Sequence, residues 1–155
     1  MIICILGSHA EGCLVQTLSF KFAMPAVHQN IKTTDAPASQ YYYSQGVKVG
    51  SMMFVTSQIG INPVTKHLVQ GGIQDELRQA FTNVRFILKA GGGKLEDIVM
   101  VKLCMKDLAE FEKMDLMYAE IMAKVKVRPA RTVFQNTMMQ DARVEVDAIA
   151  VISQT

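Results

Sequence analysis

Two stretches decide the fold: Arg128-Pro129-Ala130-Arg131-Thr132-Val133-Phe134 and, beyond Gln135–Asp141, Ala142-Arg143-Val144-Glu145-Val146-Asp147-Ala148-Ile149-Ala150. The second alternates strictly. Arg143, Glu145 and Asp147 fall on one side, and Val144, Val146 and Ala148 on the other, which is the period of a half-buried strand. The first begins at a proline that pushes Arg128 towards an extended backbone, then runs through the strand formers Thr132, Val133 and Phe134. The polar link between them reads as a hairpin connection. Antiparallel pairing about a turn centred on Met138 sets Arg131 opposite Glu145, with Cβ atoms ~5 Å apart on one face. The plain consequence is a cross-strand salt bridge contributing ~0.2–1 kcal/mol.

Working outward, Tyr41 to Val49 and Met52 to Ile59 read as strands about the Gly50-Ser51 turn. Ile73, Leu77, Ala80, Phe81, Val84, Ile87 and Leu88 form one apolar stripe, which predicts a helix from Ile73 to Ala90 ended by Gly91-Gly92-Gly93. Because these glycines follow a helix rather than open one, they do not make a phosphate cradle. Ile98 to Met105 is a β-branched apolar run, a buried strand. A second helix is expected from Leu108 to about Lys124, turning Leu108, Phe111, Met114, Tyr118, Ile121 and Met122 to the core. The order gives an α+β domain, a mixed sheet with two helices on one face. The other face, carrying Arg143, Glu145 and Asp147, must be solvated or packed against other subunits.

Composition narrows the function classes. At 155 residues, with half of them hydrophobic and 19% charged, the chain suits one folded domain. A net charge of +2 without a dense basic run gives no footprint for nucleic acid. Cys4, Cys13 and Cys104 are an odd set without a CxxC pair and read as reduced thiols. His9, His28 and His67 are scattered without metal-ligand spacing, so no metal and no cofactor is expected. No apolar stretch reaches the ~18–20 residues of a membrane-spanning helix.

Met1 to Ala23 is apolar, with Glu11 and Lys21 its only charged side chains. It lacks both the positive start of a secretory signal and the arginines of a mitochondrial transit peptide. Residues 1–30 are therefore read as an extension, one that could supply an edge strand, and residues 31–155 as a single domain. The expected setting is cytoplasmic, or mitochondrial should the extension act as a targeting segment.

Arg128-Pro129-Ala130-Arg131 followed by Val144-Glu145-Val146-Asp147-Ala148-Ile149-Ala150 resembles the signature of the Rid family, the reactive intermediate deaminases also called the YjgF family. Ala36-Pro37-Ala38, Tyr43-Ser44-Gln45-Gly46, Gln58-Ile59-Gly60-Ile61-Asn62-Pro63, Lys106-Asp107-Leu108 and the Tyr118 segment fit the same pattern in order. The likeness spans Ile31 to Val151. It implies a homotrimer of chorismate-mutase-like subunits, with pockets in the clefts between them.

The resemblance also implies an activity: hydrolysis of the small 2-imino acids 2-iminobutanoate and 2-iminopropanoate to 2-oxo acids and ammonia. Arg131 matches the family's arginine, whose planar fork of donors suits a carboxylate. Glu145 matches the glutamate that holds water and relays a proton. Neither metal nor covalent nucleophile is needed for so easy a hydrolysis.

Around this pair the chain departs from the family pattern. Tyr43 falls at the ligand-facing tyrosine, but Ser57 replaces a glycine, Asp115 a common asparagine, and Val133 a usual cysteine. Asp115 adds negative charge beside an anionic substrate. The turn before Glu145 is about one residue shorter than in common members. The alternative function is a non-catalytic trimer binding small carboxylic acids or partners in the same cleft. An endoribonuclease activity, attributed to some members, finds neither a basic patch nor interleaved aromatics here.

Overall fold

The computed structural model describes residues 27–39 and 42–153. The expectations for Met1–Ala23 and for Tyr41 lie outside the described residues. Among the described residues six strands make one sheet: β1 (His28–Ile31), β2 (Gly46–Val49), β3 (Met52–Ile59), β4 (Ile98–Met105), β5 (Ala130–Gln135) and β6 (Val144–Val151). Two helices, α1 (Ile73–Ala90) and α2 (Phe111–Ile121), complete the α+β domain. The strand order across the sheet is β1-β2-β3-β6-β4-β5. Every pairing is antiparallel except β4 with β5, which run parallel through the α2 crossover.

This order corrects the hairpin expected around Met138. β5 does not pair with β6, because β4 lies between them. β4 is apolar apart from Lys102 and finds a hydrogen-bonding neighbour on each side, β6 on one and β5 on the other. Arg131 is therefore level with Val101, and Glu145 with Cys104. The salt bridge between Arg131 and Glu145 does not form.

β1 is a further difference. Its pairing with β2 starts the sheet at His28, ahead of the expected domain boundary at residue 31. The strand expected over Tyr41–Val49 is shorter, since Tyr42 and Tyr43 lie in a turn and pairing starts at Gly46.

The core forms where α1 and α2 cover one face of the sheet. Ile73, Leu77, Ala80, Phe81, Val84, Ile87 and Leu88 are all buried against Met53, Val55, Leu103, Val144, Val146 and Ala148. Each large apolar side chain so removed from water contributes ~1.5–3 kcal/mol. The glycines end α1 as expected: Gly92 takes φ 83°, and the Gly93 N–H reaches the Leu88 carbonyl at 2.8 Å.

α2 is shorter than its sequence pattern. Leu108–Glu110 forms a 3-10 turn, and Leu108 and Phe111 remain exposed there. Met114, Met117 and Tyr118 carry the buried face of α2, with the Tyr118 ring edge-on to Phe81 at 5.9 Å. On the opposite face of the sheet, Met52, Phe54, Ile149, Met100 and Val151 form an apolar strip that no described element covers. Phe54 in its middle is 42% exposed.

Candidate functional site

A cleft of about 380 Å³ opens where β3 and β6 meet. Irregularity in β3 makes it. The register against β6 shifts between Val55 and Gln58, so the end of the strand bulges. Gln58 turns inward and is buried, its amide donating to the Thr56 and Ser57 carbonyls at 2.9 and 3.1 Å. Ser57 is turned the other way, and its hydroxyl donates to Asp147 Oδ1 at 2.6 Å. Ile59 pairs with Glu145, which brings that carboxylate into the cleft wall.

The facing wall is the loop Pro37–Ser39 together with Tyr43. Gln45 holds it. This glutamine is buried, and its Oε1 accepts the Thr33 N–H at 2.7 Å while its Nε2 donates to the Thr33 and Pro37 carbonyls at 3.0 and 2.8 Å. A single amide thus ties the loop to the start of β2, and its burial is offset because its partners are met.

Met139 and Gln140 close the remaining side. They sit in a tight turn in which Gln140 and Asp141 adopt φ 54° and 61°, the left-handed region uncommon for residues with a Cβ. Three ties hold that turn. Lys106 forms an ion pair with Asp141, and the Lys106 N–H donates to the Arg143 carbonyl at 2.9 Å. The Arg143 N–H donates to Glu76 Oε2 at 2.7 Å from the first turn of α1. Burial raises Glu76 above its ordinary value, against the lowering by the Arg143 N–H and guanidinium. Lys106 in turn holds Asp141 below its own.

Of the residues singled out in the sequence, the cleft brings together Tyr43, Ser57 and Glu145. Arg131, Asp115 and Val133 do not line it. Val133 pairs with Leu103 and packs on the core. Arg131 is on the helix-bearing face of the edge strand β5, with its Nη1 2.5 Å from Asp115 Oδ1 and its Cζ 4.5 Å from the centre of the Tyr118 ring. The Tyr118 hydroxyl is buried without a partner among the described residues, and burial pushes it above its ordinary value.

Glu145 lies on the uncovered face instead, level with Cys104, whose thiol is pushed up by burial and then by the Glu145 and Asp147 carboxylates. Within one chain the two groups thus occupy opposite faces, two strand spacings or about 10 Å apart across the sheet. Sequence reading missed Met139 and Gln140. Their only signal was the short turn before Glu145. Among the described residues, no three His, Cys, Asp or Glu side chains are grouped to hold a metal ion, and no helix is long and apolar enough to cross a membrane.

Comparison with known proteins bears on this arrangement. The family model described as Endoribonuclease L-PSP matches residues 33–152. A RutC family protein of Pyrococcus horikoshii is 38% identical over 121 residues, covering 77% of this chain and 94% of its own. A protein of Dermatophagoides farinae named 2-iminobutanoate/2-iminopropanoate deaminase is 37% identical, covering 79% of this chain and 94% of its own. The crystal structure of the YjgF gene product from E. coli superposes with a TM-score of 0.76 at 33% identity, covering 79% of this chain and 98% of that one. With the motifs, the sheet order and these matches in agreement, the chain belongs to the Rid (YjgF) family.

Proposed function

We propose that this protein hydrolyses small reactive 2-imino acids, 2-iminobutanoate and 2-iminopropanoate, to 2-oxo acids and ammonia. The observation carrying this reading is the placement of Glu145. Its carboxylate lines a cleft on the uncovered face, beside Tyr43 and the bulge at Ser57, with room for a small acid. Relatives named for this activity, at 37% identity in the mite and 34% in cattle, support it.

Arg131 and Glu145 cannot meet one small substrate from opposite faces of one sheet. A neighbouring copy must then bring its Arg131 edge to the Glu145 cleft. The apolar strip around Phe54 supplies a surface for that association, and a homotrimer closes it by symmetry. Arg131 takes the substrate carboxylate on its fork of donors. Glu145 accepts a proton from a water as the oxygen bonds to C2, giving a carbinolamine. The carboxyl then returns that proton to nitrogen; the C–N bond breaks as the hydroxyl electrons form the C2 carbonyl, and the hydroxyl proton passes to Glu145, which hands it to the departing ammonia. Water and imine balance 2-oxo acid and ammonia without an oxidant or cofactor. The cytoplasm, where amino-acid dehydratases release such imines, is the setting proposed.

The second reading, a non-catalytic trimer that binds small carboxylates, is favoured by one observation: Asp115 already engages Arg131. One assay separates them. An amino-acid oxidase generates the imine and semicarbazide traps it while this protein competes. Trapping reduced by the wild type but not by Glu145→Ala supports the deaminase. Trapping unchanged by an intact oligomer overturns it in favour of binding alone.

A further inference from the structure

The Arg131 guanidinium is not a free cation. Its Nη1 is bonded to Asp115, its Cζ lies over the Tyr118 ring, and among the described residues its Nε and Nη2 donate to nothing. The pair faces solvent, with side chains 26% and 46% exposed. An incoming carboxylate finds the Nε–Nη2 edge open, but it shares the guanidinium with a carboxylate already there. Two anions on one cation repel each other, and the second is held weakly unless it carries its own positive charge.

We propose that Arg131 and Asp115 together form a charge-balanced receptor selecting ligands with a cationic nitrogen at C2 beside the carboxylate: 2-amino acids and the protonated form of a 2-imino acid, over 2-oxo acids. The ligand carboxylate takes the open edge of Arg131, and the nitrogen at C2 donates to Asp115. This inference rests on the reading of Arg131 as carboxylate anchor. Asp115 then separates substrate from product, because hydrolysis replaces the cationic nitrogen with a carbonyl oxygen that offers Asp115 no donor. The product is expelled by the same carboxylate that retained the substrate. The parent 2-amino acid, stable in water, becomes a competitive ligand of the site.

The probes are 2-aminobutanoate and 2-oxobutanoate, which differ only at C2, titrated calorimetrically into the full chain. The wild type is expected to bind the amino acid about tenfold more tightly, a difference of ~1.4 kcal/mol. Asp115→Asn, which keeps the shape of an exposed side chain, should erase or invert that preference by tightening 2-oxobutanoate. Asp115→Ala should move it the same way. A preference unchanged in both variants overturns the proposal, as does a wild type that favours 2-oxobutanoate or binds neither probe at millimolar concentration. Arg131→Ala distinguishes the two levels of failure. If it abolishes binding while the Asp115 variants leave the ratio alone, only the receptor idea fails. If it leaves both affinities intact, the anchoring role of Arg131 fails with it.

Discussion

Glu76 is where stability and the site meet most directly. It is 5% exposed in the first turn of α1, and its Oε2 accepts the Arg143 N–H at 2.7 Å. Glu76→Ala leaves that part-buried N–H without its acceptor, at a cost of ~1–3 kcal/mol. The Arg143 guanidinium loses little, because Glu110 still accepts from its Nη1 at 2.9 Å. For a domain of this size ~1–3 kcal/mol lowers the melting temperature by roughly 2–10 °C at fixed protein concentration.

Glu76→Gln behaves differently, because it keeps an oxygen for the N–H and removes a buried charge. Burial raises the folded-state value of Glu76 above its ordinary one, so the folded protein favours the protonated carboxyl. The stability linked to this group is complete below the ordinary value and is lost as pH rises through the raised one. The glutamine variant should therefore match or exceed the wild type at pH 8, and lose that advantage towards pH 4. Differential scanning fluorimetry across that range reads both effects. An alanine variant melting within ~1 °C of the wild type would falsify the acceptor role. Equal losses for glutamine and alanine at pH 8 would show that charge, not the acceptor, does the holding.

Three more outcomes follow from the packing. Gly60→Ala puts a Cβ 2.6 Å from the Glu76 Cα, a backbone contact that cannot yield cheaply; overpacking of this kind should cost ~1–3 kcal/mol by chemical denaturation. Phe54→Glu plants a charge in the apolar strip and should move the protein to monomer on a sizing column, with imine hydrolysis lost alongside; an unchanged elution volume refutes that strip as the contact between copies. Gln140→Gly relieves a left-handed conformation at φ 54°. It should leave stability within about 1 kcal/mol while weakening substrate binding, seen as a raised KM at little changed kcat.

The sequence carried the elements further than their pairing. The alternation of Val144, Val146 and Ala148 marked β6 and its buried face correctly, and the stripe from Ile73 to Leu88 marked α1. The hairpin does not form because β5 and β6, close along the chain, are kept apart in the sheet by β4. The run Ile98–Met105 held the corrective signal: a strand apolar but for Lys102 suits the interior of a sheet, and the link from β5 passes beyond it. At the site, Glu145, Tyr43 and Ser57 were legible as residue types in a pattern. The place of Arg131 was not, because the face a strand presents depends on its register with a partner far away in sequence. Gln140 stayed hidden for a local reason: glutamine does not announce a left-handed turn as glycine, asparagine or its neighbour Asp141 does.

The insertion of β6 between β3 and β4 has a consequence for how the chain reaches its native state. β3 and β4 have no direct ladder between them, so β1-β2-β3 and β4-β5 are separate pieces until residues 144–151 arrive. A nascent chain at that stage shows two open strand edges, each backed by apolar side chains. Closure requires contacts between residues nearly a hundred positions apart, such as Met52 with Val151. Such non-local pairing slows folding and lengthens the interval in which exposed edges can join other chains. Slow synthesis or a ribosomal stall ahead of Val144 should therefore yield aggregate rather than a partly active domain.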